Sequence, residues 1–205
     1  MNNTIDPKAL FSLGYGLYVI TASSGGRTSG MIGNVVAQVS NDRVAVSMNK
    51  KGFTASLVGE SGRLNVNVLD ETAPFSLFQR FGFASGRDTD KFEGLSVGRT
   101  ANGLPALSEH CNAILSLRVT DTVDLGSHWL FVCEVEAAET LSGAPTMSYA
   151  YYQANVKPKP QPKPAPAKTE WVCEICGYVY EGEELPADFI CPLCKHGAAD
   201  FERVQ

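Results

Sequence analysis

Trp171-Val-Cys-Glu-Ile-Cys-Gly-Tyr-Val-Tyr180 and, after an acidic stretch, Leu185-Pro-Ala-Asp-Phe-Ile-Cys-Pro-Leu-Cys194 decide how the carboxyl-terminal part of this chain folds. Two Cys-x-x-Cys pairs, Cys173/Cys176 and Cys191/Cys194, flank a loop of fourteen residues. Each pair wraps one edge of a metal ion, and the loop brings the two edges together. A tetrahedral all-thiolate site suits zinc or iron, and the spacing alone does not choose between them. The 36 residues from 170 to 205 cannot fold on their own apolar area, so metal binding has to supply the folding energy. Gly177 after Cys176, and the turn after Cys194, let backbone N–H groups approach sulfur, the contact that tunes an iron site. Trp171, Tyr178, Tyr180, Phe189 and Phe201 are the expected aromatic shield.

Upstream of this segment the boundary is written in proline. From Pro158 to Pro166 every second residue is proline, in Val156-Lys-Pro-Lys-Pro-Gln-Pro-Lys-Pro-Ala-Pro-Ala167. Proline removes donors and forces its predecessor into extended geometry, so neither helix nor internal strand is expected. As polyproline II, at ~3.1 Å per residue, twelve residues reach roughly 37 Å. The expected layout is a first domain over 1–155, a Pro/Lys-rich linker over 156–169 and a tethered module over 170–205. Charge divides along the same lines. The first part carries 11 basic and 14 acidic residues, the linker four lysines and no acid, and the tail two basic against eight acidic residues. An acidic tail repels nucleic acid and suits a positively rimmed protein partner.

The whole chain, 205 residues with 44% hydrophobic content and net charge −5, has the composition of a globular protein with one main core and a satellite. No apolar run approaches the roughly 18 to 20 residues of a membrane span. The start, MNNTIDPKAL, lacks the basic and apolar tracts of an export signal, so a cytoplasmic protein is expected. In that reducing compartment Cys111 and Cys133 read as buried thiols rather than a disulfide.

In the long part, strand-like segments dominate: 17–22, 30–40, 43–48, 63–69, 113–119 and 129–136 are rich in β-branched and aromatic residues. Leu64, Val66 and Val68 alternate with Asn65 and Asn67, which predicts a strand half buried and half polar. Helix signals are few: 54–60, with Thr54 as N-cap, and 73–81. Many strands with short helices favour a closed or partly closed barrel, and no GxGxxG follows a strand to suggest a doubly wound dinucleotide fold. Asn34, Gln38 and Ser40, with Asn49 and Lys50 before the helix, could receive a flat heterocycle and a phosphate; the alternative is a polar barrel rim.

Two resemblances sharpen these expectations. The tail, with Cys-x-x-Cys-Gly-Tyr-Val-Tyr, Leu-Pro-Ala-Asp-Phe and Cys-Pro-Leu-Cys, closely resembles rubredoxin in its shortened form. This implies one iron held by Cys173, Cys176, Cys191 and Cys194, transferring one electron at a time; rubredoxins usually have glycine where this chain has Lys195. Ser29 to Ser40, Val46 to Thr54, Ser61 to Leu69, Phe81 to Phe92 and Gly103 to Leu107 together look like the flavin-reductase-like FMN-binding split barrel. That likeness implies a mainly β, Greek-key split barrel, paired as a homodimer, with FMN near the subunit interface. It implies flavin contacts from Asn34, Gln38, Ser40, Asn49, Lys50, Thr54, Arg87, Asp88 and His128. No side chain is expected to act as a catalytic acid or base, because hydride transfer from NAD(P)H to flavin needs alignment above all. The fusion resembles the high-molecular-weight rubredoxins, which implies an oxidoreductase of anaerobes passing electrons from FMN to its own iron and on to a flavodiiron protein. Alternatives are a flavin-binding relay that does not oxidise NAD(P)H, and a barrel with a structural zinc ribbon as an interaction module. No nucleic acid and no membrane is expected as a partner.

Overall fold

The computed structural model describes residues 7–10, 12–159 and 170–204. Four strands come first: β1 (Tyr18–Ser24), β2 (Arg27–Gly33), β3 (Val36–Gln38) and β4 (Arg43–Asn49). A short turn, α1 (Pro7–Leu10), precedes them, and α2 (Phe53–Ser61) leads into β5 (Arg63–Leu69). Then come α3 (Phe75–Phe78), a π-helical turn (Gln79–Phe83), the short pair β6 (Val97–Arg99) and β7 (Pro105–Leu107), and the long hairpin β8 (Cys111–Asp124) and β9 (His128–Thr140). After α4 (Tyr149–Tyr151) and a second π turn, the tail forms β10 (Glu170–Cys173), β11 (Val179–Glu181) and β12 (Phe201–Val204).

Seven strands make one antiparallel sheet in the order β2-β1-β5-β8-β9-β4-β3. Its two edges, β2 and β3, are joined by Asn34 and Val35 alone. Three Cα steps of about 3.8 Å cannot bridge the edges of a flat seven-stranded sheet, so the sheet has to roll until they nearly meet. Val35 holds the seam by accepting a hydrogen bond from the Ser47 amide at 3.0 Å. The result is the expected split barrel. Its interior is filled by Ile20, Val46, Met48, Leu64, Leu117 and Phe131, and α2 adds Leu57 and Val58. Gly62, in the left-handed region at φ 66°, stops α2 and returns its N–H to the Val58 carbonyl at 2.8 Å. A second cluster, including Leu17, Phe78, Phe81, Met147 and Tyr152, packs on the outside of the barrel.

Four expectations need correction. The strand expected over 30–40 is broken at the seam into β2 and β3. The first helix begins at Phe53 with Gly52 as N-cap. Thr54 therefore lies inside the first turn, buried, and its hydroxyl donates to Ser29 Oγ at 3.1 Å across the barrel wall. The helix expected over 73–81 stops at Phe78 and widens into the π turn. Most informative is β5, whose Asn65 and Asn67 are fully buried rather than facing water. The β6–β7 hairpin covers that face. Asn65 Nδ2 donates to Thr100 Oγ1 at 2.8 Å and to the Leu104 and Pro105 carbonyls, and Asn67 bridges the Val19 carbonyl and the Leu107 amide at 2.8 and 2.9 Å. Asparagine alternation here marks a cover strand held by side-chain amides. The proline strut falls largely on residues 160–169, outside the described residues.

Replacing Asn67 by Leu keeps the volume but leaves a buried N–H and C=O without partners, which costs about 1–3 kcal/mol. Urea unfolding of the full chain should show a lower midpoint with an unchanged slope. An unchanged midpoint would mean that the amide bridge contributes nothing to stability.

Candidate functional site

The tail strands β10, β11 and β12 form a small sheet from which two equivalent turns project. In the first, the Gly177 amide bonds the Cys173 carbonyl at 2.8 Å; in the second, the Lys195 amide bonds the Cys191 carbonyl at 2.9 Å. Both residues occupy the left-handed region, Gly177 at φ 78° and Lys195 at φ 62°. Lysine thus adopts the conformation that glycine usually supplies, and the hydrogen bonding survives the departure from the rubredoxin pattern. The next amides reach sulfur: Tyr178 bonds Cys176, and His196 bonds Cys194. Burial pushes the Cys176 thiol up to about 11 and raises Cys194 further, while these amide bonds pull toward the thiolate. At Cys191 burial also opposes ionisation, but the Cys194 and Leu193 amides help to bring it below its ordinary value.

All four Sγ atoms lie within 4.8 Å of one another. Cys173–Cys194 and Cys176–Cys191 are 3.5 Å apart. A tetrahedral ion with metal–sulfur bonds of about 2.3 Å needs sulfurs roughly 3.8 Å apart, so the four thiolates fit one ion. Its charge would reverse the burial penalty on the thiolates. Phe189 stacks or tilts against Tyr178, Tyr180 and Phe201, with ring centroids 6.4, 4.7 and 5.4 Å away, which forms the expected aromatic shield.

At the barrel seam the chain opens a groove of about 530 Å³, a volume in the range of cofactor sites. Its walls are the Met31–Val35 segment, Ser47 and Asn49 of β4, and Leu125, Ser127 and His128 at the β8–β9 turn. Register puts Asn49 directly opposite His128. The Asn34 amide has no hydrogen-bond partner among the described residues, and the Asn49 carbonyl oxygen accepts from the Lys51 amide at 2.9 Å, leaving its NH2 group for a ligand. His128 Nδ1 is 2.8 Å from Ser127 Oγ. Free amide donors and acceptors above an apolar floor suit the polar edge and flat face of an isoalloxazine ring.

Of the expected flavin contacts, Asn34, Asn49 and His128 meet in this groove. Lys50 lies beside it, ion-paired to Asp124 and 4.1 Å above the Trp129 ring. Arg87 and Asp88 line a second cleft, of about 670 Å³, around the amino end of α2. There the guanidinium groups of Arg27 and Arg87 lie 5.4 and 5.3 Å from the Phe53 ring centroid. Gly86 makes this possible: a Cβ on it would sit 2.1 Å from Ser29 Oγ, so only glycine lets the loop press against β2. Thr54 is buried behind the same wall. Gln38 and Ser40 lie elsewhere, at the end of β3 and in the turn after it, bonded to the Asn41 carbonyl and the Asp42 carboxylate. Sequence reasoning missed Ser47, although it shares a face with Asn49 two residues on, and it missed Arg27 and Phe53.

Cys111 and Cys133 are buried, and burial raises each to about 12, so both are packed thiols without nucleophilic character. His110, next to Cys111 in sequence, turns instead to Thr72 Oγ1 at 2.9 Å. No helix among the described residues is long and apolar enough to cross a membrane.

The strained turn at Lys195 gives a direct test of the metal centre, since a left-handed non-glycine residue costs roughly 1–2 kcal/mol. Lys195→Gly should keep the metal and slow its loss to a chelator, whereas β-branched Lys195→Val should speed that loss. Equal release rates for both variants and the parent would contradict the role of this turn.

Comparison with known proteins agrees with both halves. Residues 10–159 match the flavin reductase like domain family, and residues 171–202 match the rubrerythrin, rubredoxin-like domain family. A high molecular weight rubredoxin of Moorella thermoacetica is 38% identical, over 98% of this chain and 100% of that protein. A ferric-chelate reductase (NAD(P)H) of Archaeoglobus fulgidus is 36% identical, over 72% of this chain and 89% of that protein. An NADH:FAD oxidoreductase of Streptomyces globisporus shares the fold, with a TM-score of 0.64 at 19% identity, over 72% of this chain and 93% of that one. The cofactors of the two matched families, a flavin and one iron, are those that the groove and the thiolates fit. The chain belongs to the flavin reductase-like family, in the high-molecular-weight rubredoxin arrangement that joins such a barrel to a rubredoxin-like iron module.

Proposed function

We propose that the chain oxidises NAD(P)H at an FMN held in its barrel and passes the electrons singly to the iron of its own tail, which hands them to an external acceptor. The observation that carries this reading is the presence, in one chain, of a groove of flavin size and a four-thiolate cluster. Bound FMN takes a hydride and releases electrons one at a time; the iron centre carries one. The protein's own part is positional. Asn34, Asn49 and His128 orient the ring, and the amino end of α2, with Arg87 near it, favours the phosphate. Thr54 and Gly86 both pack on Ser29 and so hold α2 and the Arg87 loop against β2.

Exposed Val35 and Leu125 border the groove on its open side. A second copy of the barrel laid across them would bury this apolar rim and exclude water from the flavin, which supports a homodimer. The acidic tail suits a protein acceptor with a basic rim, and by resemblance that acceptor is a flavodiiron protein that reduces O2 or NO in the cytoplasm of an anaerobe.

Anaerobic titration of the as-isolated protein with NADH, and separately NADPH, tests the reading. One flavin and one ferric ion per chain hold three electrons, so both the flavin absorbance and the ferric thiolate colour should be lost after about 1.5 equivalents. Flavin bleaching that stops after about one equivalent, with the ferric colour intact, would break the internal relay. A flavin that neither nucleotide reduces would remove the reductase role.

A further inference from the structure

The tail module is seated against the barrel. Glu174 and Ile175, between the first two cysteines, close one side of a cavity of about 180 Å³, and Leu17, Ile32, Phe83 and Tyr152 are among the barrel residues on the other. Lys157 Nζ donates to the Glu174 carbonyl at 3.1 Å, so the linker leaves from the docking face itself. Phe83 packs against the cluster of Cys173, Cys191, Cys194 and Phe201. It can do so because the π turn carries an extra residue per turn, which takes Phe83 away from the cluster that holds Phe78 and Phe81. The first cysteine turn is the more covered: Ile175 is 38% exposed, whereas Ile190 and Leu193 beside the second are 61% and 51% exposed.

Ile32 connects the two sites. It lies in β2 just before the seam, lining the flavin groove on one side and the docking cavity on the other. Gly82 touches it from the π turn, where a Cβ would stand 3.5 Å from Ile32 Cγ1. Ile32, Gly82 and Phe83 therefore line one continuous wall that ends at the cysteine cluster, against which Phe83 packs.

Resting on the flavin-to-iron reading above, we propose that the face formed by Ile32, Phe83 and Ile175 around this cavity is the docking site at which the iron module receives its electrons from the barrel. Electron transfer weakens steeply with the gap to be crossed, and seating the module against the barrel shortens that gap. Covalent attachment to the barrel keeps the module's local concentration at this face high. Each NAD(P)H supplies a hydride, hence two electrons. Each ferric centre accepts one and becomes ferrous, so two iron reductions and one released proton balance each NAD(P)H oxidised.

The test is anaerobic stopped flow on the full chain loaded with FMN and iron. Ile175→Glu places a carboxylate in the docking cavity while every barrel residue and every cysteine stays unchanged. NADH should reduce the flavin at the parental rate, while loss of ferric colour slows about tenfold or more, the effect of roughly 1.4 kcal/mol against docking. Phe83→Ala should slow the same phase, Phe83→Leu should restore part of it, and small-angle scattering of oxidised Ile175→Glu should show a larger radius of gyration. Parental iron reduction and an unchanged scattering profile in Ile175→Glu would overturn the docking site. A parent protein whose flavin is reduced but whose iron stays ferric would instead overturn the underlying relay, and the docking role with it.

Discussion

Four sulfurs held within 4.8 Å of one another in a largely buried cluster are the constraint on which the carboxyl-terminal module depends. Burial makes Cys176 and Cys194 resist ionising, and four thiolates this close would repel each other; a single cation resolves both. With the ion bound, the module's short sheet and aromatic cluster have a centre to close around, and its folding becomes metal binding. The amides of Tyr178 and His196 aimed at sulfur are then part of the tuning of that ion. Lys195 shows how strongly the geometry is imposed, since a lysine accepts left-handed strain to keep the second turn equivalent to the first.

The barrel rests on a different constraint, the two residues that join its edge strands. Asn34 and Val35 force the sheet to close, and the same two residues form part of the wall of the groove proposed for the flavin. Closure and function therefore share a seam. Across it β4 presents Ser47 and Asn49 on one face, and β9 begins at His128 opposite Asn49, so the groove is built by register. Ile32, next along β2, carries the seam's position to the outer surface on which the iron module sits.

What could be read in the sequence followed from local rules. The paired cysteines gave a metal because ligand spacing is a local property, and the proline run gave a boundary because proline acts on its own neighbours. Asn34, Asn49 and His128, expected from the resemblance together with six other residues, line one groove. The misreadings came where distant segments decide. Asn65 and Asn67 looked like a wet face because nothing local announces that β6 and β7 will cover them. Thr54 looked like a cap because its true partner, Ser29, is on another strand. Phe83 gave no signal at all: its role depends on a π turn and on a module more than eighty residues away in the chain.

The central claim is that both cofactors act within one chain assembly, with the tether and docking face replacing diffusion. The most direct measurement is the rate of ferric colour loss after flavin reduction, followed as the protein is diluted about a hundredfold under anaerobic conditions. The account predicts one first-order rate throughout. A rate that falls in proportion to protein concentration would mean that electrons pass between separate molecules, and would contradict it.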